Sequence, residues 1–476
     1  MSSAKKIAKN TGFLFSKDII DKVMSFILVI IITRYLGSAG FGKYSFAFAF
    51  IGLFIMFSHF GLTTYMFREI AKDKTRAKKL ADNIFTLKLF LLISVYIILA
   101  IIAWNFPKTK EIMLLIFLVM VHEFFAVLNT LMGTIFKAYE RNEFGIYSTI
   151  IDKSLALLLG SYALISGYGI HTLVIALILA KLSSFVFRFW IIYKKFIKIS
   201  IEIDVKFWKI LIKNSIPFWL TMVFQRIYYR IDTVMLTSMK GYVVTGWYNA
   251  ASTLIGALTF IPTVIMSASF PALSRFYHIN AKDLSKLLYK KTFYYLLSIG
   301  IPISIGISLL SQRIILLIYK ENFIGSSIAL QILSWSLFLV FINQVMGFFL
   351  NSINKQHLFT LSAGICALSN IILNFILIPK LSYIGAATAT VITQFINFCL
   401  LYYFTRKHGY PLNLIKISYK PIIAGILMGV LIPYIKFLHA IYIIPIAAVA
   451  YFIALISIGG IGKEEIKLIK SFLPKS

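Results

Sequence analysis

Charged residues are scarce in this chain of 476 residues, which is 14% charged and 59% hydrophobic. Soluble globular proteins carry about 25% charged residues. The scarcity of charge excludes a soluble globular protein, because the surplus of apolar side chains needs lipid as its solvent. We therefore expect an all-α, polytopic membrane protein without a separate soluble domain.

Acidic residues are the rarer of the two charge types, at 17 Asp and Glu against 48 Lys and Arg, for a formal net charge of +31. In a soluble protein, this excess would suggest a nucleic-acid partner. Here most Lys and Arg residues fall in short segments between apolar runs, which is the pattern of membrane topology. No nucleic-acid partner is expected.

Cysteines and the motifs of catalysis are nearly absent from the sequence. Cys366 and Cys399 each lie inside an apolar run, which favours packing over a disulfide or a metal pair. The sequence contains no Walker A motif, no HExxH and no Cys/His cluster with metal spacing. We therefore expect no enzymatic activity, no cofactor and no metal site.

Apolar stretches of about 20 residues, enough to cross about 30 Å of hydrocarbon, recur along the chain. They predict about fourteen transmembrane helices, at residues 12–36, 44–66, 83–106, 112–136, 144–167, 171–193, 214–238, 246–272, 291–312, 325–350, 357–379, 384–405, 417–436 and 440–459. The segments on the side of the N-terminus hold most of the Lys and Arg. The positive-inside rule therefore predicts a cytoplasmic-membrane protein with both termini in the cytoplasm.

An internal repeat organises these helices. A shift of 204 residues superposes Gly37, Gly42, Tyr44, Ala47, Ile51 and Gly52 on Gly241, Gly246, Tyr248, Ala251, Ile255 and Gly256. Because both copies begin from the same side, the repeat is parallel and predicts two six-helix lobes, residues 1–200 and 201–410. Residues 411–476 would hold helices thirteen and fourteen and a cytoplasmic tail. Lysines and aromatic residues at 195–213 predict an amphipathic elbow at the start of the second lobe.

The seventh predicted helix carries the most polar side chains. Arg226 and Arg230 share one face near mid-membrane, and Gln225, Tyr229 and Asp232 form a neighbouring stripe. A charge at that depth costs several kcal/mol unless it meets water or a partner, so both faces are expected to line a cavity. The alternative is that each arginine pairs with an acid on a neighbouring helix and locks the bundle.

Lys22 and Lys181 are further cations inside predicted helices. The repeat places Lys22 opposite Arg226, and Lys181 lies near the centre of the sixth helix. In the first helix, Lys17 with Asp21 and Asp18 with Lys22 are also i,i+4 pairs. Substrate contact and internal pairing therefore both remain open for Lys22.

Acidic residues inside the predicted helices are the candidates for ion coupling. Glu123, Asp152 and Asp232 are candidates because an isolated carboxyl group in the membrane can take up and release protons. The alternative is that each is a fixed counter-ion of a neighbouring cation. Lys88 lies close enough to the helix end to snorkel, and His59, at a helix end, needs no functional role.

Six runs of sequence, in order along nearly the whole chain, resemble a known family. They are RYLGSAGFGKYSFAFA at 34–49, FGLTTYMFREIA at 60–71, RIDTVML at 230–236, GWYNAAS at 246–252, FPALSR at 270–275 and NFILIPKLSYIGAATAT at 374–390. They are similar to the polysaccharide-transporter branch of the multidrug/oligosaccharidyl-lipid/polysaccharide exporter superfamily, the flippases of O-antigen and related repeat units.

The resemblance implies a two-lobed carrier with alternating access, expected as a monomer, that flips a polyprenyl-phosphate- or pyrophosphate-linked oligosaccharide. It implies that Lys22, Lys181, Arg226 and Arg230 hold the phosphate while the prenyl tail stays in membrane lipid. It also implies a proton or sodium gradient as the driving force. Two alternatives remain, a multidrug exporter of the same superfamily and a membrane-embedded glycan polymerase or ligase. The first would favour acids in its cleft, and the second would need a large external loop.

Overall fold

The protein is mostly α-helical in the computed structural model, which describes residues 3–105, 109–435 and 437–460. No β-strand occurs in these ranges. The helices are α1 (Ser3–His59), α2 (Leu62–Lys72), α3 (Ala77–Asn105), α4 (Lys110–Ala138), α5 (Glu143–Ile165), α6 (Gly169–Lys195), α7 (Val205–Lys240), α8 (Tyr242–Leu258), α9 (Phe260–His278), α10 (Lys282–Tyr319), α11 (Ser326–Ser352), α12 (Gln356–Lys407), α13 (Leu414–Tyr434) and α14 (Ala440–Ser457). The predicted cytoplasmic tail after residue 460 lies outside the described residues.

The helices account for the predicted spans. Within the described ranges, ten helical segments are long and apolar enough to cross a membrane, or eleven when the bent pair of α1 and α2 is counted. The 57 residues of α1 and the 52 residues of α12 each contain a non-helical break, at Gly37 and Ser382, so each holds two predicted spans. The remaining predicted span is α7, whose charged residues lower its hydropathy. The all-α, multi-pass fold expected from the sequence is confirmed, and the count of fourteen is approximate.

Two of the helix breaks have the same backbone conformation. Gly37 has φ 64° and ψ −175°, and Gly241, between α7 and α8, has φ 87° and ψ −177°. This left-handed φ carries no steric penalty for glycine because glycine lacks a Cβ atom. The two glycines are 204 residues apart, which is the register of the repeat.

A reciprocal close crossing of α1 and α8 lies one turn beyond these breaks. A Cβ atom on Gly42 would lie 1.8 Å from the carbonyl oxygen of Tyr242, and one on Gly246 would lie 2.0 Å from that of Ser38. Because the repeat register also relates Ser38 to Tyr242, each partner presents the same surface to the other. This is the signature of a two-fold contact.

The chain divides by packing into two compact units, Met1–Asn249 and Ala250–Ser476. Two apolar cores are present among the described residues of the first unit. One contains Phe46, Ile51 and Leu115, and the other contains Met66 and Leu211. Because Leu211 belongs to α7, this helix packs within the first unit. The packing boundary after residue 249 does not coincide with the predicted lobe boundary at residue 200.

The segment between α6 and α7 is held against α3. Asp82 accepts a hydrogen bond from the backbone N–H of Ser200 at 2.9 Å, and the indole N–H of Trp208 donates to Asn83 at 3.2 Å. Asp204 caps α7 by accepting from the backbone N–H of Phe207 at 2.9 Å. These contacts fix where α7 enters the first unit, and α7 carries most of the candidate site.

The second unit has its own core. Leu310 of α10, Met428 of α13 and Tyr451 of α14 are buried together. In α11, 72% of the membrane-spanning window is buried, which places this helix at the centre of the unit. One pair of buried amides joins α11 to α12, because the side-chain N–H of Asn343 donates to the side-chain oxygen of Gln394 at 2.9 Å.

Candidate functional site

The two arginines of α7 lie against the second half of α1. A Cβ atom at Gly52 of α1 would lie 3.6 Å from Nη1 of Arg226, so glycine leaves room for the guanidinium group. The electrostatic neighbours of Arg230 are Arg226, Glu123 of α4 and Tyr44 of α1. Both guanidinium groups therefore converge on α1 and α4 within the first unit.

Neither arginine is sealed by an acid. Among the described residues, no carboxylate oxygen lies within 4 Å of a guanidinium nitrogen of Arg226 or Arg230. Arg230 is exposed, Arg226 and Gln225 are half-buried, and Tyr229 is 65% exposed. These four side chains form an accessible polar stripe on α7.

Glu123 of α4 is an acid whose charge acts on Arg230 in this stripe. Its Oε1 lies 3.2 Å from Nδ1 of His122, the preceding residue on α4. Arg226 and Lys181 also contribute to its electrostatic environment. The carboxylate thus faces several cations without a direct bond to either arginine.

Lys181 and Asp152 are instead joined to each other. Lys181 Nζ donates to Asp152 Oδ2 at 2.5 Å, which connects α6 to α5. The backbone carbonyl of Lys181 also accepts a hydrogen bond from the side chain of Asn129 at 2.9 Å. The structure therefore places Lys181 in a mostly buried ion pair, apart from the accessible arginines.

Lys22 is left without an acid because both neighbouring acids of α1 are engaged elsewhere. Asp21 pairs with Lys153 of α5 at 3.0 Å, and Asp18 pairs with Lys17 at 3.4 Å. The i,i+4 pairs expected from the sequence do not form, because Lys153 reaches Asp21 from a neighbouring helix. Lys22 is exposed, and no carboxylate among the described residues lies within 4 Å of it.

Asp232 belongs to the packing between α7 and α8. The phenol of Tyr248 donates to Asp232 Oδ2 at 2.6 Å, and the carboxylate is buried. The predicted stripe of Gln225, Tyr229 and Asp232 is therefore divided, because Tyr229 is exposed whereas Asp232 is buried. Sequence spacing alone does not distinguish these two environments.

The contact between the buried side chains of Lys88 and His59 was not predicted from the sequence. Lys88 of α3 is 0% exposed, and its Nζ lies 3.4 Å from Nδ1 of His59. The expectation that Lys88 snorkels to the interface is wrong, because α2 and α4 pack over this part of α3. His59 also lies in the field of Arg226, so these three residues form a basic cluster beside the candidate site. The apolar residues on both sides of Lys88 in the sequence are the feature that could have predicted its burial.

The long apolar helices of the described chain define a multi-pass membrane protein. The chain belongs to the polysaccharide biosynthesis protein family, which it matches over residues 7–277, more than half of its length. Residues 217–376 also match the MatE family. The two matches confirm the polysaccharide-transporter branch of the multidrug/oligosaccharidyl-lipid/polysaccharide exporter superfamily, and hence a transporter in place of an enzyme.

Three relatives are similar in sequence. The uncharacterized membrane protein MJ1068 of Methanocaldococcus jannaschii is 28% identical over 178 residues, which are 37% of this chain and 35% of that protein. The capsular polysaccharide biosynthesis protein CapF of Staphylococcus aureus is 22% identical over 419 residues, 84% of this chain and 100% of that protein. The probable low-salt glycan biosynthesis flippase Agl15 of Haloferax volcanii is 25% identical over 167 residues, 35% of this chain and 34% of that protein. The chain thus spans about a third of the length of MJ1068 and of Agl15.

The fold is similar to that of the lipid II flippase MurJ in its inward closed conformation. The TM-score is 0.77 at 20% sequence identity, and the match covers 93% of this chain and 97% of that one. At this identity, the likeness shows the fold alone.

Proposed function

We propose that this protein is a flippase that moves a polyprenyl-phosphate- or pyrophosphate-linked oligosaccharide across the cytoplasmic membrane by alternating access. The observation that carries the proposal is the accessible pair Arg226 and Arg230, with no carboxylate within 4 Å among the described residues. A phosphate group that crosses hydrocarbon needs cations with free hydrogen-bond donors, and Arg offers five donors in a fork that matches phosphate geometry. The names of CapF and Agl15 support a glycan-related cargo.

The candidate residues take different roles in this proposal. Arg226, Arg230 and Lys22 bind the phosphate because no acid neutralises them. Gln225 and Tyr229 offer an amide and a phenol to sugar hydroxyls. Lys181 contributes less, because its Nζ already donates a hydrogen bond to Asp152 Oδ2 at 2.5 Å.

Alternating access follows from the proposed symmetry. Lobes of residues 1–200 and 201–410, related by the repeat, would rock about their common axis while the lipid tail stays in the bilayer beside them. Residues 411–476 would be appended helices, and the carrier would act as a monomer with both termini in the cytoplasm.

The test of the arginines is a flipping assay with the purified protein in liposomes that contain a fluorescent polyprenyl-pyrophosphate oligosaccharide. We expect Arg226→Ala and Arg230→Ala each to lower the initial flipping rate at least about tenfold, because a charge-assisted hydrogen bond is worth about 1.5–3 kcal/mol. Arg406→Ala, at an exposed arginine near the end of α12, is the matched control and should keep the wild-type rate. Normal flipping by both α7 variants would show that Arg226 and Arg230 do not bind the phosphate.

We assign ion coupling to Glu123. Asp152 and Asp232 are bound to Lys181 and Tyr248, whereas Glu123 contacts a titratable partner, His122. In liposomes with an imposed proton or sodium gradient, Glu123→Gln should abolish the acceleration by the gradient and leave gradient-free exchange intact. If Glu123→Gln still responds fully to both gradients, another group couples transport.

The MatE match over residues 217–376 favours one alternative, export of cationic drugs. A cation would need free acids, yet Asp152 and Asp232 are both engaged. The same liposomes should therefore show no uptake of a cationic dye. Dye transport that depends on Glu123, without glycan-lipid flipping, would replace the flippase assignment by a drug exporter.

A further inference from the structure

A basic cavity lies in the second unit, far along the chain from the arginines of α7. Its volume is about 530 Å³, and the starts of α10 and α13 line it with the loop before α13 and Gly460. Four lysines line it, Lys286 and Lys290 of α10 and Lys416 and Lys420 of α13, and no acid is among the described lining residues.

The walls of this cavity are held in place before any ligand binds. Tyr294 donates its phenol proton to the carbonyl of Gly460 at 2.6 Å, and Lys420 Nζ donates to the carbonyl of Gly459 at 2.7 Å. The side chain of Asn413 caps α13 by accepting from the backbone N–H of Lys416 at 3.1 Å. The cavity is therefore preformed, which lowers the entropy lost on binding.

The lysine charges in this cavity have no acidic partner in the part of the chain that the structure describes. Among the described residues, no carboxylate lies within 4 Å of the ammonium group of Lys286, Lys290, Lys416 or Lys420. Like charges that face one cavity repel each other, and an anion in the cavity relieves this repulsion. The cavity is thus built for a ligand with negative charge.

We propose that this cavity is a binding site for the headgroup of an anionic phospholipid of the surrounding bilayer. The phosphate group lies among Lys286, Lys290, Lys416 and Lys420, at the starts of two membrane helices, and the acyl chains stay in the bilayer. Basic pockets between membrane helices hold anionic headgroups through the same chemistry. The site is separate from Arg226 and Arg230, so it does not depend on which cargo the carrier moves.

Native mass spectrometry of the purified full chain, with phosphatidylglycerol added against a phosphatidylcholine background, tests this site. Wild-type protein should retain phosphatidylglycerol in preference to phosphatidylcholine. Replacement of the four cavity lysines by Gln should weaken phosphatidylglycerol binding at least about tenfold, because each Lys near an anionic surface contributes about 1 kcal/mol. Replacement of the same four by Arg should preserve binding and also shows that the altered chain folds.

The matched control replaces four exposed lysines elsewhere, Lys74, Lys110, Lys320 and Lys380, by Gln. It removes the same charge and should leave phosphatidylglycerol affinity within about twofold of wild type. Equal losses in both quadruple variants, or wild-type binding by the cavity variant, would refute the site.

One further measurement identifies the source of the phosphate group. Millimolar inorganic phosphate should fail to displace phosphatidylglycerol, because it lacks the acyl chains that stay in the surrounding apolar phase. Full displacement by millimolar inorganic phosphate would show a free-phosphate site and overturn the lipid assignment.

Discussion

Charged residues within the spans differ in their partners more than in their depth. Lys181 and Arg226 are both cations inside membrane helices, yet one is bound to a carboxylate and the other is not. Lys88 belongs to a third type, because it is fully buried with only an imidazole as its recorded polar partner in the described part of the chain. These differences divide structural cations from those available to a ligand.

The buried pair of Asp152 and Lys181 gives a stability prediction. Asp152→Asn should lower the free energy of unfolding by about 3–5 kcal/mol, because removal of one partner leaves an uncompensated buried charge. A second change, Lys181→Met, should recover most of the loss, since the pair is then replaced by neutral side chains. Thermal unfolding of the purified protein in detergent measures both effects.

The ion pair of Glu69 with the exposed Lys72 is the control for this measurement. Its atoms lie 3.1 Å apart, and the Lys72 side chain is 55% exposed. Lys72→Met should change stability by less than about 1 kcal/mol, because solvent-exposed ion pairs contribute little. A loss from Asp152→Asn no greater than that from Lys72→Met would show that the buried pair is not a structural link.

Helix breaks and close crossings set the geometry at the scale of elements. The conformation of Gly37 recurs at Gly241, and Gly42 and Gly246 meet reciprocally one turn later. The sequence repeat predicted which residues correspond. It did not predict that the two copies touch, because contact between helices depends on their relative placement in space.

Substitution of the crossing glycines is the prediction at this scale. Gly42→Ala and Gly246→Ala should each destabilise the protein by about 3 kcal/mol or more, because the new methyl group would meet a backbone oxygen at 1.8 or 2.0 Å. Neither oxygen can move without displacing its whole helix. Thermal unfolding and the yield of monodisperse protein report the effect.

Gly256→Ala on α8 is the control for the crossing. A Cβ atom there would meet nothing within 4 Å, so the change should be neutral or stabilise the helix by roughly 0.5–1 kcal/mol. If Gly42→Ala is as harmless as Gly256→Ala, α1 and α8 do not cross closely at this point in the native protein.

The whole molecule combines a packing division with a sequence repeat. The compact units meet in sequence after Asn249, and α7 lies wholly in the first of them, where its Leu211 is part of an apolar core. In the repeat register, Gly241 at the end of α7 corresponds to Gly37 of α1.

Membrane orientation is the prediction for the whole molecule. In a chain without Cys366 and Cys399, a single cysteine introduced as Lys110→Cys should react with an impermeant maleimide in intact cells. Arg76→Cys should react only after the membrane is opened, because the positive-inside rule puts its Lys- and Arg-rich segment in the cytoplasm. Both positions are exposed. The opposite labelling pattern would invert the proposed topology.

The amino-acid sequence by itself determined that the protein lies in a membrane, where its spans approximately fall, which residues the repeat relates and which family the chain belongs to. Each of these properties depends on local composition or on the order of residues along the chain. Hydropathy, the placement of Lys and Arg and the order of motifs are therefore enough to predict them. The glycines at 37 and 241 belong to this class, because a left-handed break favours glycine wherever the chain places it.

Only the tertiary structure decided which charges are free. Asp21 pairs with Lys153 of α5 and not with a residue of its own helix, and Lys181 pairs with Asp152. Arg226 has no carboxylate within 4 Å in the described chain. Ion pairing falls off over a few ångströms, and those distances arise from how separate helices pack. Local sequence contains the charges, but the bundle assigns their partners.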